Sequence, residues 1–299
     1  MKTLQLNEIN LQEQKPFHCV RTDSNKLNTL LGGGLRTDNL IVIQGPSGCG
    51  KTTFLQRLAL NCIDAGEKVL YISAGEQDPT ELTERFCCMV SGVEYDKFVS
   101  NRENEDLQKV LKAQLDIGDK ITIVYTENPQ AVIKGTECTE MEWCLEFAKT
   151  YEIKYIIFDY LGSVISETAD SQYALLTHIA GRLKNYATDN HSCIITAMQT
   201  NRALKEYLKS RNVDYSMIDE YFMGDSVGPA KKASICMSIC NDKDMPGVKH
   251  INVFKNRLNG SLEDVCVYVE RTTYKWKDTE LKNNGEINSI NGKELFRFN

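Results

Sequence analysis

Several features that mark membrane, secreted or metal-thiolate proteins are absent from this sequence. No stretch comes near the roughly 18 uninterrupted apolar residues of a transmembrane helix, so no membrane contact is predicted. The opening residues, "MKTLQLNEINLQEQ", are too polar for a signal peptide. No C-x-x-C pair occurs among the eleven cysteines, although that spacing is typical of zinc and redox sites. The lack of a membrane span and of a signal peptide predicts a cytoplasmic protein.

The cysteines that are present fit a buried structural role. Cys87 and Cys88 are adjacent, and Cys236 and Cys240 stand at an even spacing in a strand-like run, so both point to one face. In a cytoplasmic protein such cysteines mostly act as small buried hydrophobic side chains. We therefore expect no metal-thiolate site.

An excess of basic residues is also lacking. The chain carries 35 lysines and arginines against 41 acidic residues, a formal net charge of −6 at pH 7. This balance argues against a broadly basic surface for nucleic acid, but it is compatible with a narrow positive loop or channel. With 41% hydrophobic and 25% charged residues, the composition is that of an ordinary globular protein.

Strand-like apolar runs alternate with helix-length segments along most of the chain. Helices are predicted at 51–64, 80–91, 103–116, 138–150 and 172–189. Strands are predicted at 39–44, 68–73, 120–125, 154–159, 192–198, 233–240, 249–254 and 264–269. The early strands are apolar at consecutive positions, as in a helix-covered parallel sheet, and the last three have little helix between them. The predicted fold is α/β, a mostly parallel sheet flanked by helices with antiparallel strands added at one edge.

The most specific motif is "GPSGCGKTT", residues 45–53, between the strand at 39–44 and the helix at 51–64. It is G-x-x-x-x-G-K-T in the strand–loop–helix context of a phosphate loop, whose backbone N–H groups and helix N-terminus bind a polyphosphate. Lys51 can reach the β- and γ-phosphates of ATP or another NTP, and Thr52 offers a hydroxyl to Mg²⁺. The predicted nucleotide-binding residues are Gly45, Pro46, Ser47, Gly48, Cys49, Gly50, Lys51, Thr52 and Thr53.

Three other predicted strands end in polar side chains that suit the same site. "YIIFDY" ends in Asp159, which can lie near the Mg²⁺ beside the phosphate loop. "YISAGE" leads to Glu76, either a carboxylate that polarises the attacking water or a helix cap or solvated loop acid. "IITAMQTNR" ends in Gln199, either a γ-phosphate contact or an ordinary strand-end hydrogen bonder.

Two cations stand two residues apart in "FKNRLNGS", directly after a strand-like run. Lys255 and Arg257 lie on one face of an extended chain, where they repel each other unless an anion lies opposite. A solvated strand end or a surface ion pair is the ordinary explanation of such a pair.

Taken in order, "LGGGLRTDNLIVI", the phosphate loop, "YISAGE", "IIFDYLGSV", "IITAMQTNR" and "KNRLNG" resemble the RecA-like ATPase core of DnaB-type hexameric replicative helicases, including phage and Twinkle-like members. The resemblance covers roughly residues 25–275. In that family, the motifs are the phosphate loop, a catalytic glutamate, a Mg²⁺-binding aspartate, a sensor glutamine or histidine, and a Lys-x-Arg acting across the subunit interface. By position these are Lys51, Thr52, Glu76, Asp159, Gln199, Lys255 and Arg257.

The resemblance implies an ATP-driven ring of six subunits that moves on single-stranded DNA and unwinds duplex in a bacterial or phage-infected cytoplasm. The implied DNA loop lies in "YFMGDSVGPAKK", with Gly224 at the place of the family's arginine. The predicted DNA-binding residues are Gly224, Asp225, Ser226, Val227, Gly228, Lys231 and Lys232. The two lysines stand where the family is usually polar or acidic, and their alternative is a solvated pair at a strand start. The glutamate usually stands nearer its strand, and Gln77 is beside Glu76.

The resemblance divides the chain into an N-terminal arm or linker (1–25), the ATPase domain (26–275) and a C-terminal tail (276–299). The family's N-terminal helical domain has no counterpart in this arm, and that leaves contacts with a primase or a loader open. Two alternatives compete with the helicase: a RadA- or KaiC-like ATPase of the same fold, or a non-motor protein whose DNA-stimulated ATPase gates assembly. RadA-like proteins carry a four-cysteine zinc module and KaiC-like proteins a duplicated core, neither of which this sequence shows.

Overall fold

A computed structural model describes residues 17–75, 77–126, 140–164, 170–210, 212–224, 226–281, 287–290 and 293–294. Within these ranges the helices are α1 (Asn25–Leu30), α2 (Lys51–Asp64), α3 (Pro79–Ser91), α4 (Tyr95–Asn101), α5 (Asn104–Ile117), α6 (Glu140–Thr150), α7 (Gln172–Asp189), α8 (Arg202–Tyr207) and α9 (Gly228–Lys232). The strands are β1 (Cys19–Val20), β2 (Leu35–Arg36), β3 (Asn39–Gly45), β4 (Val69–Ala74), β5 (Ile121–Thr126), β6 (Tyr155–Asp159), β7 (Cys193–Gln199), β8 (Ile235–Asn241), β9 (Val248–Asn256), β10 (Glu263–Val269), β11 (Trp276–Leu281), β12 (Ile287–Ile290) and β13 (Lys293–Glu294). Every helix and strand predicted from the sequence is present.

Eleven strands form one sheet in the order β13–β12–β11–β10–β9–β8–β3–β7–β6–β4–β5. From β8 to β5 all neighbouring strands pair in parallel, with the phosphate-loop strand β3 between β7 and β8. The predicted fold class, a mostly parallel sheet with antiparallel strands at one edge, is therefore confirmed. Because the carboxyl ends of parallel strands meet at one edge, the residues that follow β3, β6 and β7 come together there.

The antiparallel part of the sheet begins one strand later than the sequence predicts. The last three predicted strands were all expected to be antiparallel, but β8 pairs in parallel with β3. The long connection between Gln199 and Ile235 includes α8 and α9 and carries the chain back across the sheet, as a parallel crossover requires. Antiparallel pairing starts at β9 and continues through β10 to β13.

Apolar side chains cover both faces of the parallel strands, which explains their consecutive apolar residues. All seven residues of β3 are buried. On one face Ile41 and Ile43 pack with Leu55 and Leu58 of α2. On the other face Leu40 and Val42 belong to a cluster that includes side chains of α6 and α7.

Residues on both sides of the expected ATPase domain join this core. Asp23, before residue 26, accepts two hydrogen bonds from the buried Arg57 of α2, at 2.7 and 3.0 Å. Trp276, after residue 275, stacks on Phe54 with ring centroids 4.1 Å apart, and its backbone N–H donates to Asp23. The packed unit therefore extends beyond the limits 26 and 275, and the tail contributes β11 to the sheet.

The cysteines of the described residues carry free thiols, and most are buried. Cys236 and Cys240 lie on one face of β8, as predicted, and burial raises the pKa of each to about 12. Neutral thiols at these positions pack as small apolar groups. In the described part of the chain, no helix has the length and apolar character needed to cross a bilayer.

Candidate functional site

The phosphate loop joins the central strand β3 to helix α2. Gly48 and Gly50 have φ angles of 76° and 87°, in the left-handed region that favours glycine, and they turn the chain into the helix. The amino group of Lys51 folds over the loop and donates to the carbonyl oxygens of Gly45 and Pro46 at 2.9 and 3.0 Å. A tight loop at a helix N-terminus with a lysine across it suits a polyphosphate.

Asp159 lies at the end of β6, buried beside the start of α2. The Thr52 hydroxyl donates to its Oδ1 at 3.4 Å, and the Tyr71 hydroxyl donates to its Oδ2 at 2.8 Å. Hydroxyl and carboxylate oxygens are the hard ligands that Mg²⁺ takes in nucleotide sites. Thr52 and Asp159 therefore fit a Mg²⁺ ion that neutralises phosphate charge. The sequence offered no signal for Tyr71, which reads as one more apolar strand residue.

Gln199 stands at the end of β7, in register with Gly45 at the start of the phosphate loop. Its side chain is exposed at this edge of the sheet. Its backbone carbonyl accepts a hydrogen bond from the Gly224 N–H at 3.0 Å, and Thr200 forms a bridge with Met223. The residue beside the phosphate loop is thus tied directly to the segment predicted to bind DNA.

Glu76 lies outside the described residues, but its neighbour Gln77 is described. The Gln77 Oε1 accepts a hydrogen bond from Gln56 of α2 at 2.9 Å, and its Nε2 donates to Glu81 of α3. Two strands, β7 and β6, separate β4 from β3, so the segment around Gln77, which follows β4, does not adjoin the phosphate-loop strand. Gln56 lies one helical turn after Thr52, so the contact holds the segment against the phosphate-loop helix instead.

Lys255 and Arg257 are not brought to the phosphate loop of their own chain. Arg257 N–H donates to the Ser234 carbonyl, and Ser234 N–H donates to Leu40, at the amino end of β3. Leu40 precedes Gly45 by five residues, about 16 Å along an extended strand. The side chains of Lys255 and Arg257 instead donate to backbone carbonyls at the end of α9, including Lys231 O at 3.0 Å from Arg257 Nη2.

The predicted DNA loop leads into the short helix α9, which the sequence analysis did not predict. Lys231 and Lys232 were expected at a strand start, but they form the last turn of α9 and are both exposed. Ser226 is buried and accepts a hydrogen bond from the Gly228 N–H at 3.0 Å. A Cβ on Gly228 would lie 1.7 Å from Thr177 Oγ1, so a side chain there would displace α7. Asp225 lies outside the described residues, and Val227 is half-buried.

Lys249 is a residue at the site that the sequence analysis did not identify. It belongs to β9, yet its amino group donates to the Cys49 carbonyl of the phosphate loop at 2.6 Å. It also donates to Asn241 Oδ1 at 2.6 Å. The only sequence signal was a lysine in a strand-like run, which is ordinarily solvated.

The fold, the loop and the carboxylate beside it can be compared with known proteins. A family model described as "DnaB-like helicase C terminal domain" matches residues 19–278. The chain belongs to this family. The resemblance drawn from the motifs is thereby confirmed, and the match extends on both sides of residues 26 and 275, in agreement with the packing of Asp23 and Trp276.

Two solved structures share the fold of this family member. One, described as an ATPase domain, has a TM-score of 0.74 at 18% identity and covers 88% of this chain and 92% of its own. The other, a DnaB-like replicative helicase studied with its interactions with primase, has a TM-score of 0.73 at 16% identity and covers 89% and 63%.

Curated relatives match over shorter stretches. DNA repair protein RadA of Halalkalibacterium halodurans is 30% identical over 190 residues, 60% of this chain and 39% of the relative. RadA of Campylobacter jejuni is 40% identical over 82 residues, 27% and 18%. This chain therefore spans well under half the length of the RadA proteins it matches.

Proposed function

We propose that this protein is an ATP-dependent DNA helicase of the replicative type, a ring motor that moves on single-stranded DNA and separates duplex. Its membership of the DnaB-like family across residues 19–278 carries this proposal. The assembled phosphate loop supports it, because Lys51, Thr52 and Asp159 meet at one edge of the sheet. A DNA motor of this kind belongs in the cytoplasm of a bacterium or of a phage-infected host.

Each side chain at the loop has a distinct part in ATP hydrolysis. Lys51 neutralises charge on the β- and γ-phosphates, and Thr52 with Asp159 would hold a Mg²⁺ ion, which would supply further positive charge there. Glu76 polarises the attacking water. Gln199 contacts the γ-phosphate, and its bond to Gly224 lets the DNA segment respond to nucleotide.

The position of Lys255 and Arg257 supports assembly into a ring. Arg257 lies beside the amino end of β3, and its own phosphate loop begins about 16 Å away along that strand. Its guanidinium therefore acts on the nucleotide of a neighbouring subunit. An arginine supplied in this way accelerates phosphoryl transfer by a factor of about 10³ to 10⁵. We propose a hexamer, in which exposed Lys231 and Lys232 and the backbone of 224–228 face single-stranded DNA, and a primase or loader as a further partner.

A recombination ATPase of the RadA kind is the second candidate, favoured by the 30% identity over 190 residues to a RadA protein. ATP hydrolysis tests whether the site is catalytic, and separation of duplex DNA tests whether the protein is a helicase. We expect ATP hydrolysis that oligo-dT stimulates and that Lys51→Ala abolishes, together with unwinding of a forked duplex. Hydrolysis without unwinding would favour the RadA-like or assembly role, and wild-type turnover by Lys51→Ala would refute the nucleotide site.

A further inference from the structure

Lys249 reaches the phosphate loop from a strand outside the loop motif. It pairs directly with Asn241 across β8 and β9, and its amino group lies between Asn241 Oδ1 and Cys49 O, 2.6 Å from each. Cys49 stands between the two glycines that turn the loop, and its side chain is buried. A hydrogen bond from an ammonium group to the Cys49 carbonyl therefore restrains the loop between its two left-handed glycines.

Among the described residues whose charge affects the pKa of Lys249, none is a carboxylate. Burial lowers the pKa of Lys249. Of the described groups, Cys49 and Cys240, two buried thiols, act in the opposite direction and raise it. The amino group lies 3.3 Å from the place where a Cβ on Gly50 would stand, beside the N-terminus of α2. A partly buried cation next to a helix N-terminus is unfavourable unless an anion is bound nearby.

A bound polyphosphate would be such an anion. Lys51 contacts the carbonyls of Gly45 and Pro46 at the start of the loop, whereas Lys249 contacts the carbonyl of Cys49 near its end. The two lysines thus hold opposite ends of one loop. We propose that Lys249 is a positioning residue of the nucleotide site of its own subunit. It fixes the orientation of the Cys49 carbonyl and adds positive charge beside the bound phosphates.

This inference rests on the proposed function, and it divides β9 into two roles. Lys249 stands at the end of the strand that lies beside its own loop, opposite Asn241. Lys255 stands near the other end, opposite Cys236, and faces α9. Cations six residues apart on one strand would therefore serve different nucleotide sites, Lys249 its own and Lys255 with Arg257 that of a neighbour.

The first test is nucleotide binding by Lys249→Met, which keeps the length of the side chain and removes its charge. We expect the Kd for an ATP analogue to rise about tenfold to a hundredfold, as for the loss of a charge-assisted hydrogen bond. KM for ATP should rise more than kcat falls, because the residue holds the loop and does not touch the reacting atoms. Lys243→Met is the matched control, since Lys243 also bonds a backbone carbonyl, Ser210 O at 2.7 Å, away from the loop.

Wild-type affinity in folded Lys249→Met would overturn the inference. Should this variant not fold, Lys249→Gln takes its place: its neutral side chain is one bond shorter, so it loses both the charge and the reach to Cys49 O, and wild-type affinity there would overturn the inference equally. If the wild-type chain and Lys243→Met bind no nucleotide, the proposed function fails, whatever Lys249 does.

Mixing of subunits tests whether Lys249 acts in cis. A site formed by the loop of an Arg257→Ala subunit and the arginine of a Lys249→Met subunit is complete only if Lys249 serves its own loop. At an ATP concentration well below the raised KM of Lys249→Met, where this variant alone hydrolyses little ATP, we therefore expect hydrolysis to recover when these two variants are mixed, and not when Lys249→Met is mixed with Lys51→Ala. Recovery in the second mixture and none in the first would show that Lys249 acts across the interface, which would contradict the proposal.

Discussion

Asp159 illustrates how single residues at the site depend on partners that no motif contains. Its two carboxylate oxygens contact Thr52 of the phosphate-loop helix and Tyr71 of the neighbouring strand β4. Tyr71 is fully buried, and its hydroxyl donates the shorter of these two bonds, at 2.8 Å. Tyr71 thereby orients the carboxylate that we assign to Mg²⁺.

Replacing Tyr71 with phenylalanine removes that hydroxyl and leaves the ring in the core. We expect the Mg²⁺ concentration for half-maximal ATP hydrolysis to rise about tenfold, since loss of a group that orients a metal ligand has effects of that size. Tyr155→Phe is the control, because the buried Tyr155 hydroxyl donates to Leu35 O at 3.2 Å, at the far end of β6 from Asp159. Equal Mg²⁺ dependence in both variants would contradict the role given to Tyr71.

At the scale of elements, β9 presents different chemistry on its two faces. Lys249 faces the phosphate loop. The next residue, His250, is buried on the other face, where its ring stacks on that of Tyr215 with the ring centroids 3.6 Å apart. His250 Nδ1 contacts Asp264 at 2.7 Å and Nε2 contacts Asp242 at 2.9 Å. With a carboxylate at each ring nitrogen, His250 carries both protons and clamps β9 to β10 and to the end of β8.

This clamp should make stability depend on pH above neutrality. Burial alone would lower the pKa of His250, but the hydrogen bonds to Asp264 and Cys266 outweigh it and raise the pKa to about 10. The stabilisation is therefore complete below pH 6.5, the ordinary histidine value, and is lost as pH rises toward 10, by at most about 1.4 kcal/mol per pH unit. Denaturant unfolding of wild type and His250→Gln should give a difference that shrinks between pH 6.5 and 10, and a constant difference would contradict the clamp.

The short helix α9 brings basic groups to the predicted DNA surface. Lys231 and Lys232 are exposed in its last turn, and the side chains of Lys255 and Arg257 contact its final carbonyls. Cations at a helix C-terminus interact favourably with the helix dipole, so part of this charge stabilises α9 itself. Contact with DNA phosphates is the second role that we propose for Lys231 and Lys232.

The salt dependence of DNA binding separates the two roles of these lysines. Affinity for single-stranded DNA should fall with salt at a log–log slope of about −0.7 for each phosphate neutralised. Lys231→Ala with Lys232→Ala should therefore make the slope shallower by about 1.4 if both meet phosphates. The pair Lys109→Ala with Lys112→Ala makes the same charge change on exposed positions of α5. An equal slope in the two double variants would show that Lys231 and Lys232 do not bind DNA phosphates and are ordinary solvated side chains.

At the scale of the whole molecule, one chain contains all parts of a nucleotide site but does not bring them together. Lys51, Thr52 and Asp159 meet at the carboxyl edge of the sheet, whereas Arg257 lies level with the amino end of β3. If Arg257 acts on the nucleotide of a neighbouring subunit, as we propose, a complete site needs two subunits. Activity should therefore depend on assembly as well as on the residues themselves.

Mixed rings of Arg257→Ala and Lys51→Ala test this arrangement. Each variant alone should hydrolyse ATP poorly, the first because no arginine reaches its loops and the second because its loops are broken. In the mixture, some interfaces pair an intact loop with an intact arginine, and hydrolysis should recover in a concentration-dependent way. An arginine acting in cis predicts no recovery at any ratio, which in rings shown to be mixed would contradict action across the interface.

The order and type of the main elements were readable in the sequence because they depend on local patterns. Consecutive apolar residues in 39–44 predicted a strand covered on both faces, and β3 is buried throughout. The motif at 45–53 predicted the loop because its glycines, lysine and threonine are adjacent in the chain. The direction of β8 was not readable, because whether a strand pairs in parallel depends on the path of the preceding connection.

By itself the sequence determined the fold class, the phosphate loop and the family, since each depends on residues that are close together in the chain or occur in a fixed order. The tertiary structure alone decided which distant residues meet. Tyr71 contacts Asp159 and Lys249 contacts Cys49 because neighbouring strands and the loop at their edge bring them together. The same sheet keeps Arg257 away from its own loop, since antiparallel pairing of β8 with β9 places Arg257 at the opposite edge. Strand order and register, which no local pattern specifies, set those distances.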